Sequence, residues 1–251
     1  MRADRLLSGG SLLAAALASP FCFAQPHIAE YRASYEVRHE GRRAANAEFS
    51  VVATGNGEYL YGSVTEARGL LRIIAPNPAT ERSRIRLAGN GLLSLQFDYV
   101  DGSRKGEDNF SIAFDAAAGQ VRITRADDAE TLGYEPDLLD RGSLQVAVMR
   151  DLAACRLPGS YRWVDEDGIR TYRYERLEDA AADTDAGTFA TMRFSQQREG
   201  SSRRSILWLA PQHSFVPVIV EQIDDGEVET VFRLTAITVT TPPPAPCSGF
   251  R

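Results

Sequence analysis

Residues 29–39 read Ala-Glu-Tyr-Arg-Ala-Ser-Tyr-Glu-Val-Arg-His and carry the clearest pattern in the chain. The odd positions hold alanine, tyrosine and valine up to His39, whereas every even position is charged or a serine. Successive side chains of a β-strand point to opposite faces, so this alternation predicts a strand with one buried face. A strand of this kind belongs in a sheet that covers a core on one side.

The same alternation returns in short segments along most of the chain. The segments are 45–53, 59–65, 82–87, 93–99, 110–114, 121–123, 161–164, 169–177, 188–196, 205–209, 216–223 and 228–239. Turn dipeptides separate many of them, namely Asn90-Gly91, Asp101-Gly102, Asp167-Gly168 and Asp225-Gly226. Strands joined by such turns predict antiparallel hairpins in series.

Three segments depart from this pattern. Leu144, Val148 and Leu152 recur at helical spacing and predict one helix over about 140–154. Residues 178–185 are rich in Ala and Asp and predict a loop, and residues 69–78 form an apolar connector with two prolines.

These elements predict a mainly β protein. We expect a single, strongly curved antiparallel sheet of about a dozen strands that forms an open or partly closed β-barrel with one helix. This barrel-like domain spans residues 25–241, and a proline-rich tail spans residues 242–251.

The composition is that of a globular protein. The 251 residues include 43% hydrophobic ones, which is enough for a full core. The net charge is -6 and the sequence pI is near 5.2. A chain without a basic field is poorly suited to a phosphate backbone, so nucleic acid is not an expected partner.

Residues 1–24 have the features of a signal peptide. Arg2 and Arg5 precede an apolar stretch over 6–18, and Cys22-Phe23-Ala24 offers small residues at the positions that signal peptidase reads. Serine, glycine and proline interrupt the apolar run, which falls short of the roughly 20 residues of a membrane span. We expect cleavage after about Ala24, a periplasmic location and no membrane-spanning segment afterwards.

Two of the three cysteines, Cys155 and Cys247, follow the expected cleavage site. An even pair in an oxidising compartment predicts one disulfide, which would fasten the tail to the body of the domain. The alternative is two unpaired thiols. Neither cysteine lies in a Cys-x-x-Cys motif, which argues against a redox catalyst.

The chain resembles the bacterial exported proteins grouped as domain of unknown function 3108. The resemblance rests on the opening strand with Tyr31, on the Thr80–Tyr99 hairpin with Ser83 and Leu95, and on the Leu144–Arg150 helix. It also rests on Gly187-Thr188-Phe189, on Trp208-Leu209-Ala210-Pro211 and on Phe215-Val216-Pro217-Val218. It implies a curved antiparallel sheet that closes partly into a barrel, with an unassigned role in the cell envelope, and it implies no catalytic residue.

No motif of a known catalytic site is present in the sequence. The nucleophile elbow, the phosphate-binding loop and the dinucleotide fingerprint are absent, and the three histidines are His27, His39 and His213. Acidic pairs such as Asp224-Asp225 fall at predicted turns, where backbone preferences explain them. We therefore expect no cofactor, no metal and no enzymatic activity.

The aromatic residues offer the best candidate for a binding surface. Tyr35, Phe49, Phe97, Tyr99 and Trp208 would line a face of the curved sheet. In a closed barrel they would form the core, whereas in a half-open barrel the same face becomes an apolar cleft. The first hypothesis is therefore a protein that binds a lipid or another hydrophobic or amphiphilic envelope component.

Two other hypotheses stay open at the level of sequence. In the first, the interior is filled by its own side chains, and an edge strand or the tail docks on another envelope protein. In the second, the protein is a hydrolase of an uncharacterised type, which would require a histidine such as His213 beside a nucleophile and an acid.

Overall fold

The computed structural model describes residues 28–89, 91–241, 247 and 249–250. This part of the chain contains one sheet of 15 strands and one α-helix. The strands are β1 (Tyr31–His39), β2 (Arg42–Gly55), β3 (Glu58–Ala67), β4 (Ala79–Ala88), β5 (Gly91–Val100), β6 (Phe110–Asp115), β7 (Gln120–Arg125), β8 (Ala129–Gly133), β9 (Leu138–Leu139), β10 (Ser160–Asp165), β11 (Gly168–Thr184), β12 (Gly187–Arg198), β13 (Arg204–Ala210), β14 (Val216–Asp224) and β15 (Glu227–Val239). The helix α1 is Arg141–Ala153, and two short 3-10 helices are Gly69–Ile73 and Pro211–His213.

Most strands that follow each other in sequence also lie side by side in the sheet. The first strand, β1, pairs with the last strand, β15. The spatial order is β8-β7-β6-β5-β4-β3-β2-β1-β15-β14-β13-β12-β11-β10-β9. All neighbours pair antiparallel except β9 and β10, which pair parallel. The prediction of a single antiparallel sheet with one helix is therefore confirmed. The sheet has 15 strands, whereas about a dozen were predicted.

The sheet does not close through a strand ladder. Its two edge strands are β8 and β9, which are separated in sequence only by residues 134–137. Apolar side chains fill the gap between the edges instead. They form a small second core of Phe97, Phe110, Ile112, Phe114, Val121, Ile123, Leu138 and Val164, contributed by both ends of the sheet.

The prediction of a loop over 178–185 is wrong. Most of this segment belongs to β11. The register of its pairing with β12 shifts between Leu177 and Ala180. The hydroxyl of Thr191 donates to the carbonyl of Ala180 at 2.6 Å, and Arg233 donates to the carbonyl of Asp183. Pairing with β12 and contact with β15 thus override the weak strand propensity of Ala and Asp.

Helix α1 lies on the concave side of the sheet, at the centre of the main core. It packs against β3, β4, β5 and β10, and its buried residues are Gly142, Ser143, Leu144, Val146, Ala147, Val148, Met149, Arg150 and Leu152. Most of its residues are buried, and its polar side chains such as Ser143 and Gln145 form hydrogen bonds with the surrounding strands. Asp140 is the N-cap and Ala154 the C-cap, so the predicted range of 140–154 includes both caps.

A disulfide joins Cys155 to Cys247, with 5.6 Å between the two Cα atoms. It connects the residue after the helix C-cap to the tail, of which Phe250 packs against the main core. The predicted signal peptide and residues 242–246 of the predicted tail lie outside the described residues.

We predict that Gly142→Ala destabilises the protein, because the helix start lies close to β3 and β4. A Cβ at this position would approach Cδ1 of Tyr61 at 2.4 Å and Cβ of Ser83 at 2.7 Å, and both residues are buried. The expected loss in the free energy of unfolding is about 1–3 kcal/mol, measured by urea denaturation. Gly159→Ala is the control, since a Cβ at that glycine would meet nothing within 4 Å. Equal stability of the two variants would contradict the close approach.

We also predict that the double substitution Cys155→Ser with Cys247→Ser lowers stability. The bond closes a loop with a sequence separation of 92 residues. In the chain-entropy description its loss costs about 4 kcal/mol, because the unfolded chain gains freedom. Thermal unfolding of the wild type with and without reductant should show the same difference, and insensitivity to reductant would contradict the prediction.

Candidate functional site

A cavity of about 660 Å³ lies inside the barrel, between helix α1 and the wall formed by β1–β4 and β10–β15. Its lining includes Tyr35, Phe49, Tyr61, Glu81, Arg141, Leu144, Gln145, Val148, Met149, Trp163, Tyr172, Tyr174, Leu207, Leu209, Val220 and Phe232. This volume falls within the range of about 300–1,000 Å³ that small-molecule sites occupy. The helix therefore fills only part of the barrel.

The cavity opens at one end of the barrel. Antiparallel strands reverse direction at each turn, so the turns after β1, β3, β5, β7, β10, β12 and β14 lie at the same end. The rim of the cavity consists of residues from these turns and from strand ends beside them, including Ser201, Arg203, Arg204, Asp224 and Glu229. We call this end the mouth and the opposite end, where the disulfide lies, the far end.

One wall of the cavity is aliphatic and aromatic. Leu207, Val220 and Phe232 lie in register across β13, β14 and β15, and all three are only partly buried. Leu144, Val148 and Met149 of the helix also line the cavity. The helix side chains are already buried, so an apolar molecule between the helix and this wall would mainly remove the exposed apolar surface of Leu207, Val220 and Phe232 from water.

Tyrosines fix the neighbouring part of the wall. The hydroxyl of Tyr35 donates to the carbonyl of Pro217 at 2.6 Å, and its ring meets Phe49 edge to face with 5.3 Å between centroids. Burial raises the pKa of Tyr35 and of Tyr61, so both phenols stay neutral and act through hydrogen bonds and packing.

The start of the helix brings a cation to the cavity. Arg141 forms an ion pair with Glu81 of β4, and its guanidinium carbon lies 5.8 Å from the ring centroid of Trp163. Burial lowers the pKa of Arg141, but the Glu81 carboxylate outweighs this effect and raises the pKa, so the charge is retained. Trp163 itself is 9% exposed, and its indole N–H has no acceptor among the described residues.

The rim carries charges of both signs. Arg203 pairs with Asp224 at 2.7 Å, and Arg198, Arg204 and Glu229 stand nearby on the lining. Arg203 is largely exposed, so this pair contributes little to stability. The lining thus changes from apolar beside the helix to charged at the rim.

A buried polar cluster holds the start of the helix in place. It consists of Ser83, Ser94, Asp140 and Ser143, which are all at most 3% exposed. The Asp140 carboxylate accepts from the Ser143 backbone N–H and from the Ser83 hydroxyl, each at 2.9 Å. The Asp140 N–H donates in turn to the Ser143 hydroxyl at 2.8 Å. This capping box ties α1 to β4 and, through Ser94, to β5.

The structure brings two of the five predicted ligand-binding residues to the cavity, Tyr35 and Phe49. Phe97 belongs to the second core, and Tyr99 packs against it with its ring 5.4 Å from that of Phe110. Trp208 lies on the outer face of the sheet, because its neighbours Leu207 and Leu209 face the cavity.

The outer position of Trp208 is covered by other side chains. The guanidinium of Arg193 lies 4.0 Å from its ring centroid, and its indole N–H donates to Glu221 at 3.3 Å. The residues of the site that were not among the five predicted ones include Arg141, Trp163, the cavity-facing residues of α1 and the wall residues Leu207, Val220 and Phe232. The one available signal was the predicted helix itself, since the apolar side chains Leu144, Val148 and Leu152 need a surface of the sheet to pack against.

The histidines do not assemble a catalytic site among the described residues. Nδ1 of His39 lies 3.1 Å from the Thr230 hydroxyl, and the ring of His213 packs against Phe189 at 5.3 Å. His27 lies outside the described part of the chain. Within that part, no three His, Cys, Asp or Glu side chains are placed to hold a metal ion.

The fold and the cavity together define a barrel-like protein with an internal amphiphilic pocket. The sequence model of the family described as protein of unknown function, DUF3108, matches residues 30–233, and the chain belongs to this family. No match is found among curated proteins.

Solved structures resemble the chain at low sequence identity. A β-barrel-like protein of domain of unknown function DUF1849 from Brucella abortus has a TM-score of 0.54 at 10% identity, covering 85% of this chain and 98% of that one. This likeness supports the barrel-like fold. An exported-protein candidate with a YmcC-like fold from Bacteroides fragilis has a TM-score of 0.34 at 10% identity, covering 84% and 94% of the respective chains.

No helix among the described residues has the length and apolarity to cross a bilayer.

We predict that the free energy of unfolding falls as the pH rises from about 4 to about 6, because of Asp140. Burial raises its pKa from 3.8 to about 6, against the opposing effect of hydrogen bonds from Ser143 and Ser83. The unfolded chain therefore loses this proton at lower pH than the folded one. The stabilising contribution is complete below the unfolded pKa and is lost as the pH passes the folded pKa, by an amount on the order of 3 kcal/mol.

Asp140→Asn should remove this pH dependence in urea denaturation, since the amide does not titrate. Asp224→Asn is the control, because the hydrogen bond from Arg203 lowers the pKa of that carboxyl and moves its titration below this range. An unchanged pH slope in the Asp140→Asn variant would assign the effect to another group.

Proposed function

We propose that the protein is a non-enzymatic binding protein of the cell envelope, and that its cavity holds an amphiphilic molecule with an apolar tail and an acidic or polar head. The observation that carries this proposal is the pairing of an apolar wall with a fixed cation in one cavity.

The apolar wall suits the tail. Leu207, Val220 and Phe232 are partly exposed to the cavity although they stand in the interior of the barrel. Covering their remaining exposed apolar surface stabilises the complex by roughly 25 cal/mol per Å². Leu144 and Val148 of α1 face the same space, so a slender apolar chain between helix and wall would contact both.

The helix start suits the head. Arg141 is held by Glu81 and lies over the ring of Trp163, so its charge has a fixed position. Guanidinium is a strong donor to phosphate and carboxylate oxygens.

Two features support a location in the envelope. The N-terminal sequence resembles a signal peptide, and the disulfide between Cys155 and Cys247 suits an oxidising compartment such as the periplasm. The open cavity favours binding over the alternative in which side chains fill the barrel and the protein only docks on another protein. Binding by apolar burial and one fixed charge accounts for the lining without a catalytic step.

We predict that the protein purified from its own cells carries a small molecule. Native mass spectrometry should show a mass excess over the chain, and denaturation followed by solvent extraction should release an amphiphile. The disulfide accounts for a loss of two hydrogens and is subtracted first. A bare chain mass under conditions that preserve non-covalent complexes would contradict the proposal.

Substitutions in the cavity sharpen this test. Val220→Trp places a large ring in the space next to Leu207 and Phe232 and should reduce the bound fraction about tenfold, since overpacking costs about 1–3 kcal/mol. Val64→Trp is the matched control. Val64 is 39% exposed and stands between Ser63 and Thr65, which line the cavity, so strand alternation places its side chain on the outer face. An equal loss of bound molecule in both variants, or no loss in either, would show that the molecule does not bind in the cavity.

A further inference from the structure

The connector between β3 and β4 exposes an unusual amount of apolar surface. Within this mouth loop (residues 68–78), Leu70 is 82% exposed, Ile74 74%, Ile73 66% and Leu71 45%. The other large apolar side chains that are exposed among the described residues are less so, at 39–47%. Clusters of exposed apolar side chains mark interaction sites, whereas single ones are ordinary.

The mouth loop has a defined shape. The N–H of Arg68 donates to the carbonyl of Ala44 at 2.8 Å, and the N–H of Asn77 donates to the carbonyl of Gly102 at 3.1 Å, so both ends are fixed to neighbouring strands and turns. Between them the N–H groups of Ile74 and Ala75 donate to the carbonyl of Leu71. The apolar side chains thus project from a turn that is already formed.

The position of the mouth loop links it to the cavity. The loop leaves β3 and enters β4 at the mouth, and Thr65 and Glu81 on either side of it line the cavity. The turn also carries two cations, Arg68 and Arg72, both exposed. Neither guanidinium has a carboxylate partner among the described residues.

We infer that the mouth loop is a membrane-docking element that inserts into an anionic lipid surface and presents the mouth of the cavity to the bilayer. This inference rests on the proposed function, because a carrier of amphiphiles must exchange them with a membrane. An apolar tip flanked by arginines matches the order of a lipid surface, in which acyl chains lie beneath charged head groups. A protein partner or a second copy of the chain would need no such cationic flank, and both are outcomes of the test.

The experiment is flotation of the protein, purified from its own cells, with vesicles of phosphatidylethanolamine and phosphatidylglycerol or of phosphatidylcholine alone. The wild type should float with both and more strongly with the anionic vesicles. Each of the substitutions Leu70→Ser, Ile73→Ser and Ile74→Ser should weaken vesicle affinity about tenfold. Arg68→Gln with Arg72→Gln should abolish the preference for anionic lipid.

The matched control is Val52→Ser with Leu157→Ser, two exposed apolar positions at the far end, which should float like the wild type. The inference is overturned if the wild type stays unbound, if the loop variants float equally well, or if the control loses binding to the same degree. It is also overturned if sedimentation shows a dimer that the loop substitutions dissolve without any flotation, since a second copy is then the occupant.

The two proposals fail separately. Loop variants that no longer float but still carry the small molecule in native mass spectrometry support the docking role and leave the cavity proposal intact. If the wild type floats but carries no small molecule, the proposed function is contradicted, and only the inference of a membrane-docking loop is supported.

Discussion

The structure depends on a helix whose first turn is buried inside the sheet. The N–H groups at the start of a helix lack intrahelical partners, and burying them without acceptors is costly. Asp140 and Ser143 supply the capping box, while Ser83 of β4 and Ser94 of β5 bind the same carboxylate or hydroxyl groups. The cap therefore fixes the position of the helix against the sheet as well as its starting residue.

That position determines both the closure of the barrel and the space left inside it. The edge strands β8 and β9 do not pair, so side chains of the second core such as Phe97 and Leu138 hold the two ends of the sheet together. Helix α1 packs against β3, β4, β5 and β10, whereas Leu207, Val220 and Phe232 of β13–β15 stay partly exposed. The cavity is the space that the helix leaves between itself and this part of the sheet.

The sequence predicts the strands well because alternation is a local property, as in Tyr31, Ala33 and Tyr35. It predicts the helix because Leu144, Val148 and Leu152 stand out from a background of alternation. The cavity lining is harder to predict, since alternation does not say which parity faces inward. Trp208 and Leu207 are adjacent and equally apolar, yet only Leu207 faces the cavity. The role of Arg141 depends on its meeting Glu81 and Trp163, which no local pattern encodes.

The two ends of the barrel differ in a way that gives the cavity a direction. At the far end, the disulfide fastens the tail beside the helix C-terminus, and Phe215 and Leu152 are buried there. At the mouth, charged rim residues and the exposed mouth loop surround an opening. Burying an unpaired charge away from water is costly, whereas burying an acyl chain is favourable. The polar head of a ligand is therefore better placed near the water at the mouth, and its acyl chain deeper in the cavity. The amphiphile that we propose as the ligand would therefore enter tail first through the mouth, and its head would come to rest at Arg141, the cation that the buried cap holds in place.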